Sequence, residues 1–276
     1  MSERRIASDI LAVAVISAAG SFANGGLAPI LGQIAEDFSV SFTALGVLTA
    51  GFAFARVIFD LPAGTLADRI HPRTMFYVAA VVAVVGGVVA TVAPTFSVLV
   101  GGRVIQGMGV TLTLFAATAY IGRRARPDER GRMMGVANAA NPVGELLAPL
   151  TVGLASAVLG WRIGLLITII PTIGTLVLVP LYGRDARAVG TPGEALRRVQ
   201  PRSKKLAFNV HLLLGINLMT AATSLANFGF KSTIFPLFGS RVLHLNPALI
   251  GVALSLIHIS EPTRRYAISY AVFCLK

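Results

Sequence analysis

The chain has 276 residues, of which 55% are hydrophobic and 13% charged, with 28 glycines and a mean hydropathy of +0.75. Soluble domains carry about 25% charged residues, so this balance excludes an ordinary soluble globule and points to an all-α integral membrane protein. The formal charge of +12 does not mark a nucleic-acid footprint, because the basic residues gather on alternate connecting segments, as they do in a membrane protein with a fixed orientation.

A bilayer core of about 30 Å takes roughly 20 helical residues to cross. Apolar runs of that order predict spans at 8–30, 42–63, 74–94, 97–121, 133–159, 162–182 and 207–229, with an eighth starting near Pro247. Arg4 and Arg5 precede the first run, which exceeds a signal-peptide core and is followed by further spans, so it reads as a retained helix. Arg4, Arg5, Arg69, Arg73, the run from Arg123 to Arg132 and the stretch from Arg184 to Lys205 lie on one set of loops, against Arg162, Lys231 and Arg241 on the other. This asymmetry predicts a cytoplasmic N-terminus. The organisation expected is a six-helix bundle over 1–182, a cytoplasmic linker over 183–206 and the start of a second bundle over 207–253.

The first span carries Ser17, Ser21 and Asn24 as one polar stripe, with Asn24 the better cavity candidate. In the second, Arg56 and Asp60 stand four residues apart, a spacing that predicts an ion pair near the inner end. Spans two and three are joined through Gly64-Thr-Leu66-Ala67-Asp68-Arg69-Ile-His71-Pro72-Arg73. Gly64 would let two helices approach closely, Asp68 would cap the following helix or bind a cation, and Arg69 and Arg73 would reach phosphates or carboxylates. Ordinary inward-retained charge with a helix cap explains the same residues.

This segment resembles the signature between spans two and three of the major facilitator superfamily, except that His71-Pro72-Arg73 replaces the usual Gly-Arg-Lys ending. The resemblance implies two six-helix bundles rocking about a midplane site, with Gly64, Asp68, Arg69 and Arg73 as the cytoplasmic gating motif and Asp68 as its latch acid. In the fourth span Arg103-Val-Ile-Gln106-Gly107 is similar to the family's fourth-helix pattern. A charge within lipid is costly, so Arg103 is expected to face a cavity or a partner, or else to snorkel to the nearby outer edge. Gln106 lies one turn deeper on the same face.

The fifth span sets Asn138, Asn141, Glu145 and Pro149 at helical spacing on one face, with Glu145 near the bilayer middle. An acid at that depth is either protonated or held by a cation, and both states suit proton or cation coupling. Arg103 and Glu145 are expected to interact across the cavity, directly or through water. Ala148-Pro149 departs from the Gly-Pro pattern of antiporter-type relatives in the resemblance, whereas Gly160-Trp161-Arg162 matches common family usage and reads as an interface anchor. The run Arg123 to Arg132 reads as topology charge, with Arg130 or Arg132 able to meet Asp68.

From 254 onward the sequence changes character. About eleven apolar residues from Pro247 run into His258-Ile-Ser-Glu261-Pro262-Thr-Arg264-Arg265, which cannot continue in lipid. Leu254 to Arg264 and Ile268 to Lys276 resemble the two ends of a translated sequencing-library transposase adapter, so 254–276 is expected to be a non-native tail. The one cysteine, Cys274, lies within it, leaving no disulfide and no metal pattern.

The expectation is therefore a secondary active transporter of a small molecule in a bacterial inner membrane. It would be multi-pass, monomeric and proton-coupled, with the lipid bilayer as its surroundings, no nucleic-acid partner, no cofactor and no enzymatic site. Asn24, Arg103, Gln106, Asn138, Asn141 and Glu145 would form the substrate and proton cavity. A non-transporting membrane sensor or assembly subunit on the same fold is the alternative.

Overall fold

The computed structural model describes residues 3–125, 129–182 and 225–257. Helix α1 runs Glu3–Gly25 and continues through a 3-10 turn, Ala28–Ile30, into α2, Leu31–Asp37. Then come α3, Phe42–Arg69; α4, Pro72–Thr91; α5, Phe96–Arg124; α6, Arg130–Leu159; and α7, Trp161–Tyr182. A π-helical stretch, Leu225–Ile234, leads into α8, Phe235–Arg241, and α9 covers Pro247–Ile257. No strand occurs among the described residues. Among the described residues, five segments are long and apolar enough to cross a membrane, and Trp161–Val177 and Pro247–Ile257 form shorter apolar helices. The seventh predicted span lies mostly outside the described residues.

Helix ends follow local chemistry. Ser41 and Thr95 accept from the backbone N–H of Ala44 and Val98 and so cap α3 and α5. Gly160, at φ 83°, ends α6 in a backbone state that other residues reach only with strain, and α7 starts at the next residue.

The segment read as a loop between spans two and three is mostly helix. Helix α3 extends to Arg69, and only Ile70 and His71 separate it from α4. The cap of α4 is His71, whose Nδ1 accepts from the Arg73 N–H at 3.2 Å, with Pro72 in the first turn where its missing N–H costs nothing. Asp68 therefore does not hold the cap position expected of it; its side chain lies outside the described residues. Gly64 does not mark a close approach either: a Cβ there would sit 3.6 Å from Phe115, an ordinary contact.

Close approach occurs between α4 and α5, the most extensively packed pair. A Cβ on Gly102 would lie 2.5 Å from the Ala90 backbone N, and Cβ atoms on Gly86 and Gly109 would meet the backbones of Gln106 and Ala83. The seam is lined by small residues, Ala79, Ala83, Gly86, Gly87 and Ala90, while Val78, Val81, Val85, Val88 and Val92 face outward. Large apolar side chains outside and small ones inside is the reverse of a soluble helix. It suits lipid, where there is no hydrophobic force between helices and close backbone packing replaces it.

Besides α4 with α5, the principal pairs are α1 with α6, α3 with α5, α4 with α7 and α1 with α7. Exchanging spans one to three for four to six maps α1·α6 onto α5·α3 and α1·α7 onto α5·α4, and leaves α4·α7 unchanged. This is the pattern of a three-plus-three inverted repeat, which no sequence identity discloses.

Two apolar cores result. One, with Val13, Met75, Phe76, Leu112, Tyr120 and Met133, lies toward the face where α1 begins. The other, with Leu31, Ile34, Leu45, Leu48, Leu99 and Leu165, lies toward the far face. Between them is a polar layer.

Candidate functional site

Two cavities occupy that layer and share Asn24. The larger, about 130 Å³, is lined by Ser17, Gly20, Ser21 and Asn24 of α1, Arg56 of α3, Val110, Thr113 and Leu114 of α5, and Asn141 and Glu145 of α6. The smaller, about 10 Å³, is enclosed by Asn24, Leu27, Ala28, Thr49, Phe52, Arg103 and Ser232.

Arg103 points inward rather than snorkelling and is 1% exposed. Its Nη1 donates to Gln106 Oε1 at 2.5 Å and to the Ala23 carbonyl at 3.3 Å. The guanidinium carbon stands 4.6 Å from the centre of the Phe52 ring, a cation–π contact. Gln106, also 1% exposed, is tied in turn to Thr168 of α7 at 3.5 Å, so three helices fix the orientation of Arg103. Its Nε is buried and donates to nothing among the described residues. A fully desolvated charge costs several kcal/mol. Charge-assisted hydrogen bonds of about 1.5–3 kcal/mol each and a ring face contributing about 2 kcal/mol offset much of that, yet supply no counter-charge.

Arg103 and Glu145 form no direct ion pair, and the two side chains line different cavities. Local bonds draw the guanidinium to Gln106 and the Ala23 carbonyl. Glu145 instead shares the larger cavity with Arg56, Asn141 and the α1 hydroxyls. Arg56 does not pair with Asp60, which is exposed; helical spacing brought the two near each other, but Arg56 turns toward the cavity. Asn138 is exposed and lines neither cavity, although it shares a helix stripe with Asn141 and Glu145. Ser17, Ser21, Thr49 and Phe52 do line cavities.

At the α3–α4 junction Arg69 is exposed and Arg73 lies over the Tyr77 ring at 5.9 Å. Arg123, in the run read as topology charge, closes the end of α3: it donates to the carbonyls of Ala67 at 2.5 Å and Ile70 at 3.3 Å. A cation there satisfies orphan carbonyls and complements the helix dipole. Arg130 turns back to the Ala125 carbonyl. Nothing in the spacing of Arg123 distinguished it from its neighbours.

On the far face Asp37 accepts from Trp161 Nε1 at 3.0 Å and from Arg162 at 2.8 Å, and Arg162 also reaches the Ala93 carbonyl. Trp161 and Arg162 thus clamp α2, α4 and α7 together, a role beyond the interface anchor read from sequence. No cluster of metal-ligating side chains occurs among the described residues.

The family model described as Major Facilitator Superfamily matches residues 11–261. Among curated proteins, the chain is 38% identical over 99 residues to D-xylose-proton symporter-like 1 of Arabidopsis thaliana, covering 36% of this chain and 20% of that protein. It is 26% identical over 220 residues to the Multidrug resistance protein B homolog of Mycobacterium tuberculosis, covering 79% of this chain and 37% of that one. The match thus spans a fifth to little more than a third of these relatives' lengths. A bacterial homolog of the human lysosomal transporter Spinster, in an inward-facing occupied conformation, superposes with TM-score 0.75 at 18% identity, over 94% of this chain and 59% of the other. The crystal structure of a D-xylose-proton symporter superposes with TM-score 0.68 at 15% identity, over 97% and 69%.

Proposed function

This chain belongs to the major facilitator superfamily, and from that premise we propose that it forms the first bundle, and the start of the second, of a secondary active transporter that carries a small molecule across a bacterial cytoplasmic membrane. The observation that carries this reading is the polar layer between two apolar cores, which gathers Asn24, Arg103, Gln106, Asn141 and Glu145 inside the helix bundle. Ionisable groups are expensive there and persist where they line a pathway. Relatives named for sugar–proton symport favour a proton as coupling ion, with Glu145 as its carrier in the larger cavity. The N-terminal face is cytoplasmic in this reading, and the transporter acts as a monomer.

Residues 183–206 serve as the linker between bundles, 207–253 begin the second bundle, and 254–276 derive from an adapter. Helix α9 runs through this last boundary to Ile257, with Leu254 buried and Ser255 bonded to the Leu146 carbonyl, and the family match extends to 261. Resequencing the locus decides the point: an uninterrupted reading frame that lacks the adapter codons supports the boundary at 254, and the same codons in genomic DNA refute it.

Uptake into proteoliposomes containing the product of that uninterrupted frame, driven by an imposed pH gradient, tests transport. Flux is expected; binding without flux would mark a sensor. Glu145→Gln is expected to abolish the pH dependence of uptake, and transport with unchanged pH dependence would remove Glu145 from coupling.

A further inference from the structure

The sequence sets Lys231 just past a predicted span, among the cations of the outer loops. In the structure it lies inside a helical run instead: Leu225–Ile234 is π-helical and passes directly into α8, Phe235–Arg241. Arg241 marks the far rim, where its guanidinium stands 6.0 Å from the centre of the Phe42 ring at the start of α3. Lys231 precedes Arg241 by ten residues and so lies about 15 Å in from that rim. Phe52 is likewise ten residues in from Phe42, and Ser232 lines the smaller cavity with Phe52, Asn24 and Thr49, so the two depth counts agree. A lysine side chain reaches about 6 Å, too short to bring its ammonium back to the rim. Phe230 is 58% exposed and faces outward, whereas Lys231 is half-buried. A charge at this depth is costly against lipid and persists where it borders a watered path, and π-helical turns concentrate at functional sites.

We propose that Lys231 is the second bundle's charged contact for the transported molecule, and that this molecule carries an anionic group. The charge balance of the path supports the sign. Glu145 is the acid at the middle of a described helix, and Arg56 shares its cavity. The seventh and eighth spans add no acid to match Lys231, since no Asp or Glu occurs between Glu194 and Glu261. Lys231 also interacts within the protein, but the path as a whole keeps an excess of cations over acids. Such an excess concentrates anions in a cleft with low-dielectric walls. An ammonium is a compact point charge with three rotatable donors, so it serves a carboxylate and a phosphate alike and leaves finer selection to the groups around it. The anionic substrate rests on the transporter reading; the place of Lys231 on the path does not.

The test uses the product of the uninterrupted frame, freed of other cysteines, in lipid nanodiscs where both faces are open to reagent. Ser232→Cys should react with the anionic thiol reagent methanethiosulfonate ethylsulfonate about tenfold faster than Phe230→Cys, because a charged reagent enters a watered path and not lipid. Inorganic phosphate or D-gluconate at twice its dissociation constant should slow the Ser232→Cys reaction about threefold, and neutral D-glucitol should not. Whichever anion slows it identifies phosphate or carboxylate as the class. Lys231→Met should remove that protection and Lys231→Arg should retain it, which separates the charge from the space it fills. Equal rates at positions 230 and 232, glucitol protecting as well as the anions, neither anion protecting, or protection that survives Lys231→Met would each overturn the proposal. Protection by an anion that shows no flux in proteoliposomes would instead sink the transporter reading and leave Lys231 as an anion contact. Flux of glucitol without protection by either anion would do the opposite.

Discussion

Gly101 and Gly102 are neighbours in α5, and the structure assigns them opposite sensitivities. Around Gly101 a Cβ would meet nothing within 4 Å, whereas at Gly102 it would lie 2.5 Å from the Ala90 backbone N and 2.8 Å from the Gly86 carbonyl. Ordinary contact begins at 3.4 Å, so Gly102→Ala forces α4 and α5 apart by about 0.9 Å, and the atoms in the way are backbone that no rotamer change can clear. Overpacking of this kind costs about 1–3 kcal/mol. Gly101→Ala adds the same methyl group to the same helix without a clash and gains up to about 1 kcal/mol from helix propensity. The assay is equilibrium unfolding by SDS in mixed micelles, followed by helical circular dichroism and by the fluorescence of Trp161, the only tryptophan. Gly102→Ala should unfold at lower SDS fraction than wild type and Gly101→Ala at equal or higher. Coincident curves for the two variants would refute the close α4–α5 seam.

Arg123→Gln removes both charge-assisted bonds to the end of α3, and at this half-buried position a loss of about 1.5 kcal/mol is expected in the same assay; Arg132→Gln, at an exposed position, should change nothing measurable. His71→Ala takes away the α4 cap and should cost about 1 kcal/mol, while His71→Asn, a good cap residue, should retain wild-type stability. If alanine and asparagine behave alike, His71 is not the cap.

The sequence made the fold class legible because membrane spanning is a one-dimensional property. Apolar runs of sufficient length placed helices α1 and α3 to α7, and the residues around Asp68, Arg103 and Gln106 carried the family resemblance. Helix faces were legible in part. Asn141 and Glu145 share a stripe and a cavity, but Asn138 on that stripe is exposed, because a face has angular width and the cavity occupies only part of it. The tight seam was not legible. Gly64 and Gly102 look alike in sequence, and only the position of the neighbouring backbone distinguishes them.

Pairings across helices were the least accessible. Arg56 with Asp60 and Arg103 with Glu145 are reasonable from spacing and depth, yet spacing along one helix says nothing of what a neighbouring helix offers. Arg103 turns to Gln106, the Ala23 carbonyl and Phe52. Asp37 receives Trp161 and Arg162 from more than a hundred residues away. The sequence alone determined that the chain crosses a membrane as a bundle of helices and which residues carry charge into it, since burial in lipid depends on length and composition. Tertiary structure alone decided which of those charges meet. Hydrogen bonds and ion pairs act over a few ångströms, and which groups come within that range is set by how α1, α3, α5, α6 and α7 pack around the polar layer.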